Sequence, residues 1–302
     1  MTFDGVRPVL HLAFDDGPGE PIRYPDLDRL VERMLAAGVD GLVVLGLASE
    51  AWTLTERERD AVLERVSAVV AGRVPVVVGI DGATAVAIDR GRRAAAGGAA
   101  GLMVLPPART GADEALRAHF WNLADATGLP ILVQDSPGVT GVTLPAAFLV
   151  ELASHPLVRA VKIELGGAGS RITALAAAGL EVVAGWGGLH YPESVRRGAT
   201  GVMPGCDLGP SLVAIHRALR AGDAAAAERR YRAILPLLAY EAQSLDLLLL
   251  GAKRLLRGQG ILGTDGLRAP SRRLDPEEAV SLDALFAQLG RDGVPGFLAP
   301  AA

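Results

Sequence analysis

Lys162 lies in the run AVKI, an amine set among aliphatic neighbours. Lysine is seldom fully buried without a reason. An amine held in a dry environment has its charged form disfavoured, so a larger fraction is neutral. A neutral amine attacks a ketone to form an imine, and the protonated imine is an electron sink for bond breaking nearby. Glu164 follows two residues later, hence on the same side of an extended strand. It suits either proton exchange beside such an imine or an ion pair with Lys162 at a solvated rim. Other polar or glycine-rich clusters also close apolar runs: Ala48-Ser49-Glu50, Gln134-Asp135, Trp186-Gly187-Gly188 and Cys206-Asp207.

The elements that must position these groups are short, continuous apolar runs. They start at Pro8 (PVLHLAF), Gly41 (GLVVLG), Pro75 (PVVVGI), Gly101 (GLMVLPP), Pro130 (PILVQD), Val158 (VRAVKIE), Glu181 (EVVAG) and Thr200 (TGVMPG). Continuous rather than alternating apolar runs are expected of strands buried on both faces. Helical patterns separate them, at 25–37, 56–71, 84–96, 114–127 and 144–154, with glycine or proline at most junctions. Eight strands alternating with helices predict an α/β fold of the (β/α)8 TIM-barrel type, whose reactive groups stand at the C-terminal ends of the strands. No G-x-G-x-x-G opens a helix after the first strand, which counts against a doubly wound sheet. After about residue 210 only helices are expected, over 211–220, 224–250, 251–257 and 276–289. The expected division is a barrel over 1–208 and a C-terminal helical extension over 209–302 packed on it.

Half of the 302 residues are apolar, enough for one large core. The formal net charge of −4 argues against nucleic acid or an anionic membrane as partner. The lone Cys206 cannot form an internal disulfide, and no Cys/His cluster has zinc-ligand spacing, so no metal is expected. The first residues do not read as a secretory signal and no apolar stretch is long enough to span a bilayer, which predicts a cytoplasmic protein.

Three segments together resemble a known family. GLVVLGLASEAWTLTERER is similar to the strand-2 segment of the dihydrodipicolinate synthase / N-acetylneuraminate lyase superfamily, G-T-T-G-E or G-S-T-G-E followed by L-[ST]-x-x-E. PILVQDSPGVTG resembles its strand-5 segment, P-I-x-L-Y-N-x-P-x-x-T-G, and VRAVKIE its lysine strand, V-x-G-I-K-E. The resemblance covers essentially the whole chain. It implies a class I lyase without cofactor, a Schiff base on Lys162, a 2-keto acid substrate such as pyruvate, and a homo-oligomer, dimer or tetramer. The apolar segment 234–250 is a candidate for part of the subunit interface.

The departures are chemical. The family's catalytic tyrosine falls on Gln134, whose amide donates and accepts hydrogen bonds but does not ionise. Its asparagine is Asp135, and its strand-2 threonines become Leu47 and Ala48. The aromatic pair after strand 4 reads Pro106-Pro107-Ala108. Synthase-type condensation of pyruvate to 4-hydroxy-tetrahydrodipicolinate is therefore the weaker reading. The A-S-E and V-Q-D-x-P patterns resemble the 2-keto-3-deoxy sugar acid dehydratase branch. There the imine loses a C3 proton and expels the C4 hydroxyl, whereas an aldolase would cleave C3–C4 from the same imine.

Within this resemblance Ser49, with the N–H groups of Ala48 and Ser49, is placed to hold the substrate carboxylate, unless Ser49 only caps its turn. Glu50 is expected to support the loop by hydrogen bonding. Gln134 would orient substrate or water. Asp135 is a candidate replacement for the tyrosine, although an Asx turn before Pro137 explains it as well. Gly187 and Gly188 would let backbone approach the ligand, with Trp186 as a pocket wall. A glycine-rich turn after strand 7 also suits a phosphosugar, but no basic residue accompanies it. A scaffold that binds a keto acid or an assembly partner without turnover is the non-enzymatic alternative.

Overall fold

The computed structural model describes residues 1–17, 19–108 and 110–294, so positions 295–302 of the expected extension lie outside the described residues. Eight parallel strands form one sheet: β1 (Gly5–Val6), β2 (Leu42–Val44), β3 (Val76–Ile80), β4 (Gly101–Val104), β5 (Ile131–Asp135), β6 (Val158–Ile163), β7 (Glu181–Ala184) and β8 (Gly201–Val202). Their order is β1-β8-β7-β6-β5-β4-β3-β2. Val9, just past β1, bridges both Val43 on β2 and Gly205 past β8, which closes the sheet into a barrel. The first strand was expected from Pro8 onward. It instead pairs from Gly5, and in the apolar run the pairing continues through Val9, with backbone bonds of Pro8 and Leu10 to Val43.

Side chains alternate across each strand. Val43, Val77, Met103, Leu132, Ala160, Val183 and Met203 pack together inside the barrel. Leu42, Val44, Val76, Val78, Leu102, Val104, Ile131, Val133, Val161 and Val182 face outward in the larger cluster with the helices. The helices that alternate with the strands are α1 (Tyr24–Ala37), α2 (Glu56–Val70), α3 (Thr84–Ala96), α4 (Glu114–Thr127), the short α5 (Pro137–Thr140), α6 (Ala146–Leu152), α7 (Gly169–Ala177) and α8 (Tyr191–Arg196). Local signals set their ends. Thr55 and Glu58 close a reciprocal capping box on α2, and Asp113 accepts from the Leu116 N–H to start α4.

Four helices follow β8: α9 (Gly209–Arg220), α10 (Ala224–Glu241), α11 (Leu245–Gly258) and α12 (Pro276–Arg291). One helix had been expected over 224–250. It is broken at Ala242-Gln243-Ser244, where the Ser244 side chain accepts from the Leu247 N–H and starts a new helix. The segment 234–250, the candidate for part of a subunit interface, is divided between the core and the surface: Leu235, Tyr240, Leu245 and Leu248 are only half-buried. Ile234, Leu237, Leu238, Leu247, Leu249 and Leu250 are buried within the chain. No helix among the described residues is long and apolar enough to cross a membrane.

Candidate active site

Strand parity decides which polar side chains enter the barrel. On β6, Ala160 faces inward and Val161 and Ile163 outward, so Lys162 points inside. It pairs in register with Gln134 on β5 and Val183 on β7. Lys162 is 3% exposed, and its Nζ lies 2.9 Å from Oε1 of Glu164. Gln134, inward like Leu132, donates from Nε2 to Glu164 Oε2 at 2.6 Å. The backbone N–H of Trp186 donates to Glu164 Oε1 at 3.5 Å. Burial alone would raise the Glu164 carboxyl, but the charge of Lys162 and these hydrogen bonds outweigh it and hold the carboxyl below its ordinary value. Lys162 is therefore not an isolated amine. Its partner is the carboxylate of Glu164.

Asp135 is one residue past Gln134 and points the other way. It lies outside the barrel with its Oδ2 2.7 Å from Arg171 Nη2 on α7, an ion pair rather than a well-aligned hydrogen bond. Burial raises its carboxyl above the ordinary range, against the pull of Arg171. The placement of Asp135 as a stand-in for the tyrosine is thus corrected: the period-two pleat turns it away from Lys162.

The strand-2 loop folds as a 3-10 turn, Leu47–Ser49. Ser49 is buried, its hydroxyl donates to the Leu10 carbonyl at 2.6 Å, and its N–H donates to the Gly46 carbonyl. Both donors of Ser49 are committed within the protein, so it braces the turn. Ala48 faces the cavity. Glu50, in a left-handed backbone conformation, is paired with Lys253 of α11 and accepts from the Arg268 N–H at 2.8 Å. Lys253 also donates to the Gly266 carbonyl at 2.9 Å and lies 4.8 Å from the Phe14 ring centroid. Burial raises the Glu50 carboxyl and lowers the Lys253 amine, and each is opposed by the other's charge.

A cavity of about 500 Å³ opens at the C-terminal ends of the strands, a size suited to a small ligand. Lys162, Glu164, Ala48, Trp186 and Gly187 line it. Gln134 acts on it through Glu164, and Ser49 and Glu50 stand behind its wall. Gly187, at φ +64°, is a cavity residue. Gly188 is not: a side chain there would press on Leu212 of α9, so this glycine serves close packing. The buried Cys206 donates to the Val9 carbonyl, and His190 stands against the Trp186 ring.

The unanticipated part of the wall comes from the tail. Ala242, Gln243, Ser244, Leu245 and Leu248 line the cavity together with residues 136–139 of the β5 loop. The leucine-rich helical periodicity masked this break, although Ser244 two residues before Asp246 is a helix-start signal. No group of three or more His, Cys, Asp or Glu side chains among the described residues is arranged to hold a metal ion.

The profile of the Dihydrodipicolinate synthetase family matches residues 5–289. An L-2-keto-3-deoxyarabonate dehydratase from Azospirillum brasilense is 34% identical over 295 residues, covering 94% of both chains. A 4-hydroxy-tetrahydrodipicolinate synthase 1 from Streptomyces coelicolor is 32% identical over 278 residues, covering 88% of this chain and 89% of that one. Among solved structures, a dihydrodipicolinate synthase from Rhodopseudomonas palustris superposes with a TM-score of 0.88 at 27% identity, covering 94% of this chain and 97% of that one. With a barrel closed as this family's is and the profile matched over nearly its whole length, the chain belongs to the dihydrodipicolinate synthetase family.

Proposed function

We propose that the protein is a class I lyase that dehydrates a 2-keto-3-deoxy sugar acid through an imine on Lys162. The observation that carries this reading is the contact chain from Lys162 to Glu164 to Gln134 beside the cavity. Glu164 takes a proton from the Lys162 ammonium, and the neutral amine attacks C2 of the keto acid. Glu164 returns that proton to the carbinolamine hydroxyl, which leaves as water and gives the iminium, with Glu164 a carboxylate again. Glu164 then removes a C3 proton, the C3–H electrons form the enamine, and the enamine expels the C4 hydroxyl. That hydroxyl leaves as water with the proton returned by Glu164, and hydrolysis frees Lys162. Gln134 does not ionise, so its part is to hold the carboxylate of Glu164 in place. The substrate carboxylate is taken up at the turn beginning at Leu47, whose first N–H groups have no partner inside the turn.

Dehydration is favoured over synthase-type condensation by the charges of the cavity. Lys162 is the one cationic side chain among its described lining residues, and it already faces Glu164. A second carboxylate-bearing substrate would find no cation to hold it. The same dehydration is the reaction in the name of the A. brasilense relative. We also infer a cytoplasmic homo-oligomer, dimer or tetramer, from the family resemblance. Among the described residues, the barrel and the extension that follows residue 208 act as one unit, because Gln243 and Ser244 share the cavity with Lys162.

Imine trapping tests the reading. Protein incubated with pyruvate, or with 2-keto-3-deoxy sugar acids, is reduced with borohydride and weighed intact beside a Lys162→Ala control. A covalent gain in the wild type that is missing from the control is expected. No gain with any keto acid sinks the class I mechanism.

A further inference from the structure

We propose that Gln243 and Ser244, at the break between α10 and α11, recognise the hydroxylated chain end of the substrate, and that this end carries neither a phosphate nor a second carboxylate. The inference rests on the imine reading above, because Lys162 fixes where C2 sits and therefore which way the chain runs. With C2 on Lys162 and C3 against Glu164, the remaining carbons extend toward the rim. The other polar side chains that line the cavity are Ser136, Gln243 and Ser244, all neutral.

Their hydrogen-bonding state suits hydroxyl groups. Gln243 donates from Nε2 to the Tyr240 carbonyl at 2.9 Å, which pins the amide and leaves its Oε1 to accept. Ser244 Oγ accepts from the Leu247 N–H at 3.1 Å, which leaves the hydroxyl proton to donate. An acceptor and a donor on adjacent residues match the dual character of an alcohol. An anionic chain end fits poorly. The start of α11 would attract an anion through its dipole, but Asp246 already occupies that first turn. Within the cavity itself, Glu164 is a negative charge among the described lining residues, where an anionic chain end would meet it.

The test compares two substrates across three proteins: a 2-keto-3-deoxypentonate and 4-hydroxy-2-ketopentanoate, which keeps the C4 hydroxyl but lacks the terminal one. The proteins are wild type, Gln243→Met and Ser244→Asp, the last keeping a helix-capping side chain. Wild type is expected to prefer the hydroxylated substrate in kcat/KM by roughly tenfold, the worth of one or two hydrogen bonds left unmade. In both variants that preference should shrink to about threefold or less, because the missing interaction is the one the two substrates differ in. An undiminished preference in both variants overturns this inference and leaves the imine reading standing. Better turnover of a phosphorylated 2-keto-3-deoxy acid than of its unphosphorylated form overturns it as well. Failure of the wild type to trap any 2-keto acid removes the imine reading and this inference together.

Discussion

The Lys162 ammonium and the Glu164 carboxylate meet 2.9 Å apart inside the barrel mouth, two residues apart on one strand face. Neither group is isolated, and the second oxygen of Glu164 is held by Gln134 at 2.6 Å. The proposed mechanism uses this contact to pass one proton from Lys162 to Glu164 and back during the reaction. In the proposed mechanism Glu164, on the next strand, is the ionising group in place of the family's tyrosine, and the amide at position 134 holds it.

Glu164→Gln keeps the shape and removes the proton acceptor. It should lower kcat by about 10²–10⁴-fold, the usual worth of a general acid–base. A kcat within tenfold of wild type would remove Glu164 from the proton route. Gln134→Leu removes a hydrogen bond that favours the charged carboxylate, so the Glu164 carboxyl should protonate at a higher pH than in wild type. Activity that needs the carboxylate is then lost earlier on acidification, and the acid limb of the kcat/KM profile moves upward. A profile that does not move, or moves down, would contradict the assignment.

Lys253 and Glu50 are both essentially inaccessible, and they tie α11 to the strand-2 turn. Lys253→Met leaves the Glu50 carboxyl buried without its cation, a change that typically costs about 3–5 kcal/mol. Urea unfolding should show that loss, and Lys253→Met/Glu50→Gln should recover part of it because no charge remains to be solvated. Equal stability of the single and double variants would mean that Glu50 is not held as a carboxylate.

Asp207, buried past β8, has its carboxyl pushed from 3.8 up to about 6, chiefly by burial and against hydrogen bonds from its own and the Leu208 N–H. A carboxyl raised in the folded state binds more protons there than in the unfolded chain between those values. Stability from this group is therefore full at low pH and is lost as pH rises through about 6. Asp207→Asn should accordingly stabilise the protein by about 1–3 kcal/mol at pH 8, with the gain fading toward pH 4. Its charge also helps push the Glu241 carboxyl well above its ordinary value, so the substitution relieves two groups. Denaturant midpoints at the two pH values check this, and a gain that grows on acidification would refute it.

Much of this protein is determined by local pattern. Continuous aliphatic runs demand burial on both faces, helical runs between them demand parallel crossovers, and the two together dictate a barrel. The lysine is legible as a candidate for the same reason: AVKI sets its amine among aliphatic neighbours, and strand parity in the folded barrel turns Lys162 inward rather than to the rim. Glu164 follows from it by strand parity alone. Parity also contained the answer for Asp135, since a residue next to an inward Gln134 must point outward, where Arg171 meets it.

What only the tertiary structure decided lies where two distant segments share one surface. The leucines that extend α10 toward α11 have one periodicity whether the helix continues or breaks, because local periodicity does not record what the next turn packs against. The break at Ala242-Gln243-Ser244 brings Gln243 and Ser244 to the same cavity as Lys162. Likewise nothing near Glu50 in the chain names its partner. Lys253 lies 203 positions away, and burying either charge is tolerable only because the fold brings the other to it.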